Sequence, residues 1–389
     1  MTQRKPQIST DYAYIGSWVP YMRNDPAGIT IAEYTPETGV FRPLQHILPE
    51  LNCGAFCLDK ERGVLYCTNE RTEVPDKTLG GQVFALKIDS ETGILSELSC
   101  SPSFGQLPSY CAVDGSRRFL IVSNHSGRNA IMKTVLGPDG HFQIVREYDE
   151  TAVVLFPLDE EGRIEPPCDI VRHTGHGALP NQQNPHAHCV KSDPSGRLFA
   201  VCDKGNDHLY CYRIDTEKRK LVCCDCLEGV PGSSPRYCVF HPTLPYLYYN
   251  NETMSIVNMV HYDGDGKLTP VCTVSCMEDG SMQARSLQSD LCISPSGTFL
   301  FTLVRDNSTI TVYQLDKQSG VPTLRQVVPC GSTEGGRGLT ISPDGRYLHL
   351  ASCPDAGAYT FSIGGDGQLT PMGIRLEDRA PSVIAFASR

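Results

Sequence analysis

Residues 181 to 203, "NQQNPHAHCVKSDPSGRLFAVCD", place an alternating run, "HCVKS", and a second, apolar run, "LFAVC", on either side of a "DPSG" turn. That period of two predicts two half-buried strands joined as a β-hairpin. In an antiparallel pair, the residues before the first strand and those after the second lie together at the end away from the turn, which makes His188 and Lys204 neighbours.

The same unit returns along the chain. "CGAFCLDKERGVLYCTNE", "PSYCAVDGSRRFLIVSNH", "PRYCVFHPTLPYLYYNNE", "SDLCISPSGTFLFTLVR" and "GRGLTISPDGRYLHLASC" carry both strands, and the terminal "APSVIAFAS" carries the first alone. With Pro194 as the reference position, the equivalents are Lys60, Gly115, Pro242, Pro295, Pro343 and Ser388. In chain order the spacings are 55, 79, 48, 53, 48 and 45 residues. Seven repeats of this length fit the blades of a propeller. Further alternating runs such as "HLYCYRID", "TITVYQLD" and "QVFALKID" follow the hairpins, so each repeat supplies about four short strands. "YAYIGSW" and "ITIAEYTPETGVFRPL" at the N-terminus have no first strand before them, and the C-terminus holds a first strand without the rest. The expectation is an all-β fold, a single seven-bladed β-propeller domain over residues 1–389, its ring closed by N- and C-terminal strands sharing one blade. The long 79-residue spacing contains an extra segment, about residues 128–150, expected near the channel mouth, where it could cover a ligand.

Composition agrees with this picture: 35 Gly and 28 Pro among 389 residues serve a fold with many turns, and no long 3.6-period pattern competes. The N-terminal stretch has no apolar signal-peptide core and no run approaches membrane-spanning length, so no membrane partner and a cytoplasmic location are expected. Most of the 18 cysteines, including Cys57, Cys67, Cys111, Cys189, Cys202, Cys211, Cys238 and Cys292, fall inside the strand pattern and read as small buried residues in a reducing compartment. "CCDC" and the Cys53/Cys57 and Cys272/Cys276 pairs lack the spacing of zinc sites, so no metal or other cofactor is expected. A net charge of −10 without a basic stripe argues against a nucleic-acid partner.

The repeat register gathers the candidate chemistry. Six positions before the reference stand Gly54, Ser109, His188, Arg236, Ser289, Arg337 and Ser382, and ten after it stand Glu70, His125, Lys204, Glu252, Arg305 and Cys353. Both sets fall at one end of radially arranged hairpins, around one mouth of the central channel. Strand ends in any propeller are polar, and taken singly Glu70, His125 and Lys204 are ordinary surface residues. A convergence of guanidinium groups, a carboxylate and an imidazole on one concavity, however, suits a small anionic substrate.

The motifs "NPHAH", "SPRYCVFHP", "YYNNE" and "SDLCISPSGTFLFTLVR" resemble those of the seven-bladed propeller lactonases, the group of bacterial 6-phosphogluconolactonase and fungal carboxy-cis,cis-muconate cyclase. The resemblance spans essentially the whole chain. It implies that a histidine of "PHAH" (His186 or His188), Arg236, Glu252 and Arg305 occupy the family's active-site positions. With His188 as the favoured histidine these four are the catalytic candidates, and His186, Arg337, Lys204, Glu70 and His125 the substrate-binding ones. Where many members of the family read "DLG", this chain reads "DKG", which puts Lys204 at the mouth.

Two chemistries suit these residues. In a lactonase, Glu252 or His188 draws a proton from water while the arginines hold the substrate anion and the developing oxyanion. In a carboxymuconate-type cycloisomerase the substrate's own carboxylate reacts, and the same groups move one proton. The breadth of the family favours hydrolysis of a sugar-acid lactone, as in 6-phosphogluconolactonase. A third reading, a non-catalytic binding platform, calls for an exposed apolar rim rather than a charged mouth. Calcium chemistry calls for converging carboxylates without arginines among them.

Overall fold

The "DPSG" turn holds together through the aspartate that opens it. Asp193 Oδ1 accepts hydrogen bonds from the backbone N–H groups of Arg197 (2.9 Å) and Leu198 (2.8 Å), and Gly196 takes the left-handed conformation (φ 67°) that the tight turn demands. Asp114 repeats the arrangement with Arg118 and Phe119, and hydroxyls substitute for the carboxylate at Ser294 and Ser342. The flanking strands Ala187–Ser192 and Leu198–Asp203 pair antiparallel, with Cys189 opposite Cys202 and Ser192 opposite Phe199.

In the computed structural model, which describes residues 11–19, 27–74, 77–127, 130–282 and 286–387, seven such units each extend into a four-stranded antiparallel sheet. The innermost strands are Cys53–Asp59, Pro108–Val113, Ala187–Ser192, Pro235–Phe240, Gln288–Ile293, Gly338–Ile341 and Pro381–Ala387. Each touches the next, and the last returns to the first, so the blades form a closed ring around a channel. Pro381–Ala387 pairs with Asp11–Ser17, Ile384 lying opposite Ile15, and Ile29–Thr35 and Val40–Ile47 complete that blade. The two ends of the chain therefore share a blade as expected, although the reference position Ser388 lies outside the described residues. The fold is an all-β seven-bladed propeller, and no helix occurs among the described residues, hence none long and apolar enough to cross a membrane.

Second strands such as Val64–Asn69, Phe119–Asn124, Leu198–Asp203 and Phe299–Val304 are buried along their whole length because each sits between two neighbouring blades. This explains why they read as near-continuous apolar runs rather than alternating ones. Tyrosines on three second strands fasten one blade to the next. The hydroxyls of Tyr14, Tyr66 and Tyr248 donate to the carbonyls of Gly93 (3.0 Å), Gly162 (2.9 Å) and Gly320 (2.6 Å), each in the outer turn of the following blade.

The inserted segment is a hairpin, Ala130–Leu136 paired with Phe142–Tyr148. It is almost wholly exposed, including Met132, Leu136, Phe142 and Ile144. At its base Ser126 and Gly127 line the mouth cavity, but none of the described residues 130–150 does, and residues 128 and 129 lie outside the described set. The described part of this segment therefore borders the mouth only through its base. It is a two-stranded sheet of its own, with no third strand to extend it.

Candidate functional site

At the mouth, the residue after six of the seven second strands is fixed by one recurring backbone contact. The N–H groups of Trp18, Glu70, His125, Lys204, Glu252 and Arg305 donate to the carbonyls of Ala380, Asn52, Leu107, His186, Ser234 and Leu287, at 2.7 to 3.1 Å. Six blades therefore present six side chains from equivalent backbone positions. A cavity of about 320 Å³ opens among them, and its walls include Glu70, His125, His188, Lys204, Arg236, Glu252, Arg305 and Arg337. Eight of the nine candidate residues are brought together, and His186 is not.

His186 is displaced because the pairing register of its strand shifts between Ala187 and Cys189, which turns alternate side chains out of step. Its ring lies parallel to that of His125, centroids 4.5 Å apart, and its Nδ1 faces the His125 carbonyl oxygen at 2.9 Å. It packs behind the mouth, against His125, and is not among the residues that line the cavity. His188 faces the cavity, edge-on to His125 at 5.4 Å and tilted against Tyr237 at 5.1 Å, and its Nδ1 has no hydrogen-bond partner among the described residues.

The charged groups divide into two clusters. Around Glu252, Lys204 Nζ lies 2.5 Å and Arg236 Nε 3.6 Å from Oε2, while Arg305 Nη2 lies 3.1 Å from Oε1. Across the mouth, Arg337 Nη2 donates to Glu70 Oε2 at 2.7 Å, and its guanidinium sits 3.8 Å above the Trp18 ring. Backbone carbonyls fix the other arginines, Ser289 accepting from Arg236 at 2.6 Å and Leu287 from Arg305 Nε at 3.0 Å. Four cations against two carboxylates leave the lining with a surplus of two positive charges (4 − 2) in a chain of net charge −10.

These charges set the protonation states. Burial pushes the His188 and His125 pKa values down, and nearby cations (Arg236 and Lys204 for His188, Lys204 for His125) push the same way, so both fall well below the usual histidine value and both rings are neutral. Burial alone would raise the Glu252 carboxyl, but Lys204, Arg236 and Arg305 outweigh it and hold the group well below the ordinary glutamate range. With Oε1 and Oε2 both engaged by cations, Glu252 is a poor proton acceptor. The geometry is therefore against Glu252 as the base expected from the sequence and favours it as the anchor that arranges three cations.

Trp18 was reachable from the register, because Ser17 pairs with Pro381 just as Asp203 pairs with Ala187, and Trp18 is the next residue. It is the seventh member of the set headed by Glu70, hidden because its hairpin is split between the two chain ends. Thr72, Leu107, Ser126 and Gly127 also line the cavity, and no repeated spacing marks them.

Residues 12–386 match the family described as "Lactonase, 7-bladed beta-propeller". The chain is 27% identical over 291 residues to 6-phosphogluconolactonase of Bacillus subtilis, covering 71% of this chain and 72% of that one. It is 24% identical over 345 residues to 6-phosphogluconolactonase of Formosa agariphila, covering 87% and 88%. Among solved structures, the periplasmic gluconolactonase PpgL of Pseudomonas aeruginosa superposes with a TM-score of 0.84 at 22% identity, over 98% of this chain and 99% of that one. With the family match running through all seven blades, from the strand that opens the closing blade to the one that completes it, the chain belongs to the seven-bladed β-propeller lactonase family.

Proposed function

We propose that this protein hydrolyses a sugar-acid lactone, with a phosphorylated lactone such as 6-phosphogluconolactone as its preferred substrate. The observation that carries the reading is the surplus of positive charge in a small mouth whose histidines are neutral. An anionic substrate restores charge balance there, and neutral imidazoles remain able to accept a proton. Arg236, Arg305, Arg337 and Lys204 bind the phosphate and the oxyanion that develops as water adds to the lactone carbonyl. Glu252 and Glu70 hold those cations in place. The relatives named for 6-phosphogluconolactone hydrolysis support the same substrate class. A cytoplasmic location fits a chain whose 18 cysteines are all free thiols.

The test is acid release at constant pH from a panel of lactones. Phosphorylated gluconolactone should be hydrolysed with a higher kcat/KM than gluconolactone itself, by about tenfold or more if the phosphate meets even one preorganised guanidinium. Equal rates on the two would remove the phosphate from the reading, and no acid release from any member of the panel would remove the lactonase activity.

A further inference from the structure

The mouth contains an imidazole whose tautomer the backbone dictates. His125 Nδ1 lies 2.9 Å from the carbonyl oxygen of Ser126. A carbonyl can only accept, so Nδ1 carries the hydrogen and Nε2 of the neutral ring keeps its lone pair. The ring lines the cavity, with His186 stacked on one side and His188 edge-on to it.

The residue that supplies this carbonyl is itself unusual. Ser126 is not a glycine, yet its φ is +64°, in the left-handed region that side chains disfavour. Its hydroxyl accepts from Thr151 Oγ1 at 2.9 Å and Asn184 Nδ2 at 3.1 Å, and donates to the Pro185 carbonyl at 3.3 Å. Its N–H donates to the Gln106 carbonyl at 3.0 Å. Thus "NPHAH" and the base of the inserted hairpin together clamp one strained residue whose carbonyl orients one imidazole. Backbone strain held by several independent contacts is characteristic of functional positions.

We propose that His125 is the general base of the reaction and that Ser126 is its positioning residue. This rests on the lactonase reading. A water proton passes to His125 Nε2 as the water oxygen bonds to the lactone carbonyl carbon, giving a tetrahedral oxyanion held by the arginines. The oxyanion collapses, the bond from carbonyl carbon to ring oxygen breaks, and the departing oxygen takes the proton back from Nε2. The products are the alcohol and the carboxylic acid of the opened chain, and the acid releases one proton to solvent. The imidazolium formed in between is opposed by burial, Lys204 and His186, and favoured by the Ser126 carbonyl, Glu252 and the substrate anion. The base is therefore strongest when substrate is bound.

Acid release by His125→Ala on the best lactone for the wild type tests this. A fall in kcat of about 100-fold or more is expected, with KM changed less than about threefold, and added imidazole should restore turnover in proportion to its unprotonated fraction. Ser126→Ala, which loses the clamping hydrogen bonds, should lower kcat about tenfold at unchanged KM. Ser126→Gly, which takes a positive φ without strain, should recover part of that loss. Overturning results are a kcat for His125→Ala within tenfold of the wild type, no imidazole rescue, or a wild-type kcat for Ser126→Ala. Each of these leaves the lactonase reading standing, whereas a wild type inert towards every lactone would remove both.

Discussion

Glu252 shows what a residue's surroundings decide that its identity cannot. A glutamate beside a histidine in a charged mouth reads as a proton acceptor. Three cations at 2.5 to 3.6 Å turn it into the counter-ion that keeps those cations from dispersing. The two roles separate experimentally. If Glu252 arranges charge, Glu252→Gln should destabilise the fold by about 2 kcal/mol, below the 3–5 kcal/mol of a fully buried broken pair because the mouth admits solvent, and should raise KM as well as lower kcat. Chemical denaturation and steady-state kinetics on the same preparation would show it, and an unchanged stability with a pure loss of kcat would return Glu252 to the role of base. The residues legible in the sequence were those that the repeat carries to equivalent backbone positions. His186 was not separable from His188 in the sequence, because the shift in strand pairing between Ala187 and Cys189 leaves no mark on the alternation.

At the level of elements, the hairpins, their turns and the closing blade follow from a period of two broken by Asp, Pro, Ser and Gly, which is why the inner two strands of every blade were readable. The contacts that join blades were not, since a tyrosine on a second strand looks like any buried aromatic until the turn it reaches is known. The hydroxyls of Tyr66 and Tyr248 each satisfy a carbonyl that would otherwise be buried without a partner. Tyr66→Phe and Tyr248→Phe should therefore each cost about 1–2 kcal/mol, nearly additively because the sites lie in different blades, as measured by urea midpoints of the single and double variants. A neutral effect would mean that water replaces the tyrosine. The inserted hairpin makes the opposite case. With its side chains exposed, replacing residues 131–147 by a short Gly-Ser linker should leave the thermal midpoint unchanged and kcat within about twofold of the wild type. A large drop in the midpoint would show that the ribbon supports the blades.

Over the whole molecule, ring closure buries groups that the open chain would leave to titrate in water, and this ties stability to pH. His349 sits fully buried between the closing blade and its neighbour, with Nε2 3.2 Å from the Tyr34 hydroxyl and Nδ1 3.1 Å from Thr360 Oγ1, and burial lowers its pKa to about 3. His125 and His188 are lowered too, by burial and by the cations of the mouth. In the unfolded chain all three return to about 6.5. For a group whose folded pKa is depressed, the unfolded state binds the proton first. The contribution to stability is then fully present above about pH 6.5 and declines as pH falls towards the folded value. Each histidine adds a slope of up to about 1.4 kcal/mol per pH unit, so three together should make stability fall steeply between about pH 6.5 and pH 5. Glu252, depressed as well, adds its own loss at lower pH, below the unfolded glutamate value of about 4.3. Urea denaturation at pH 7.5, 6.5, 5.5 and 5.0 should trace this decline, and His349→Gln should flatten it whatever its effect at pH 7.5, since the substituted side chain no longer titrates. A wild-type stability independent of pH over that range would mean that the three rings protonate within the folded ring, and that water reaches both the mouth and the seam where the chain closes on itself.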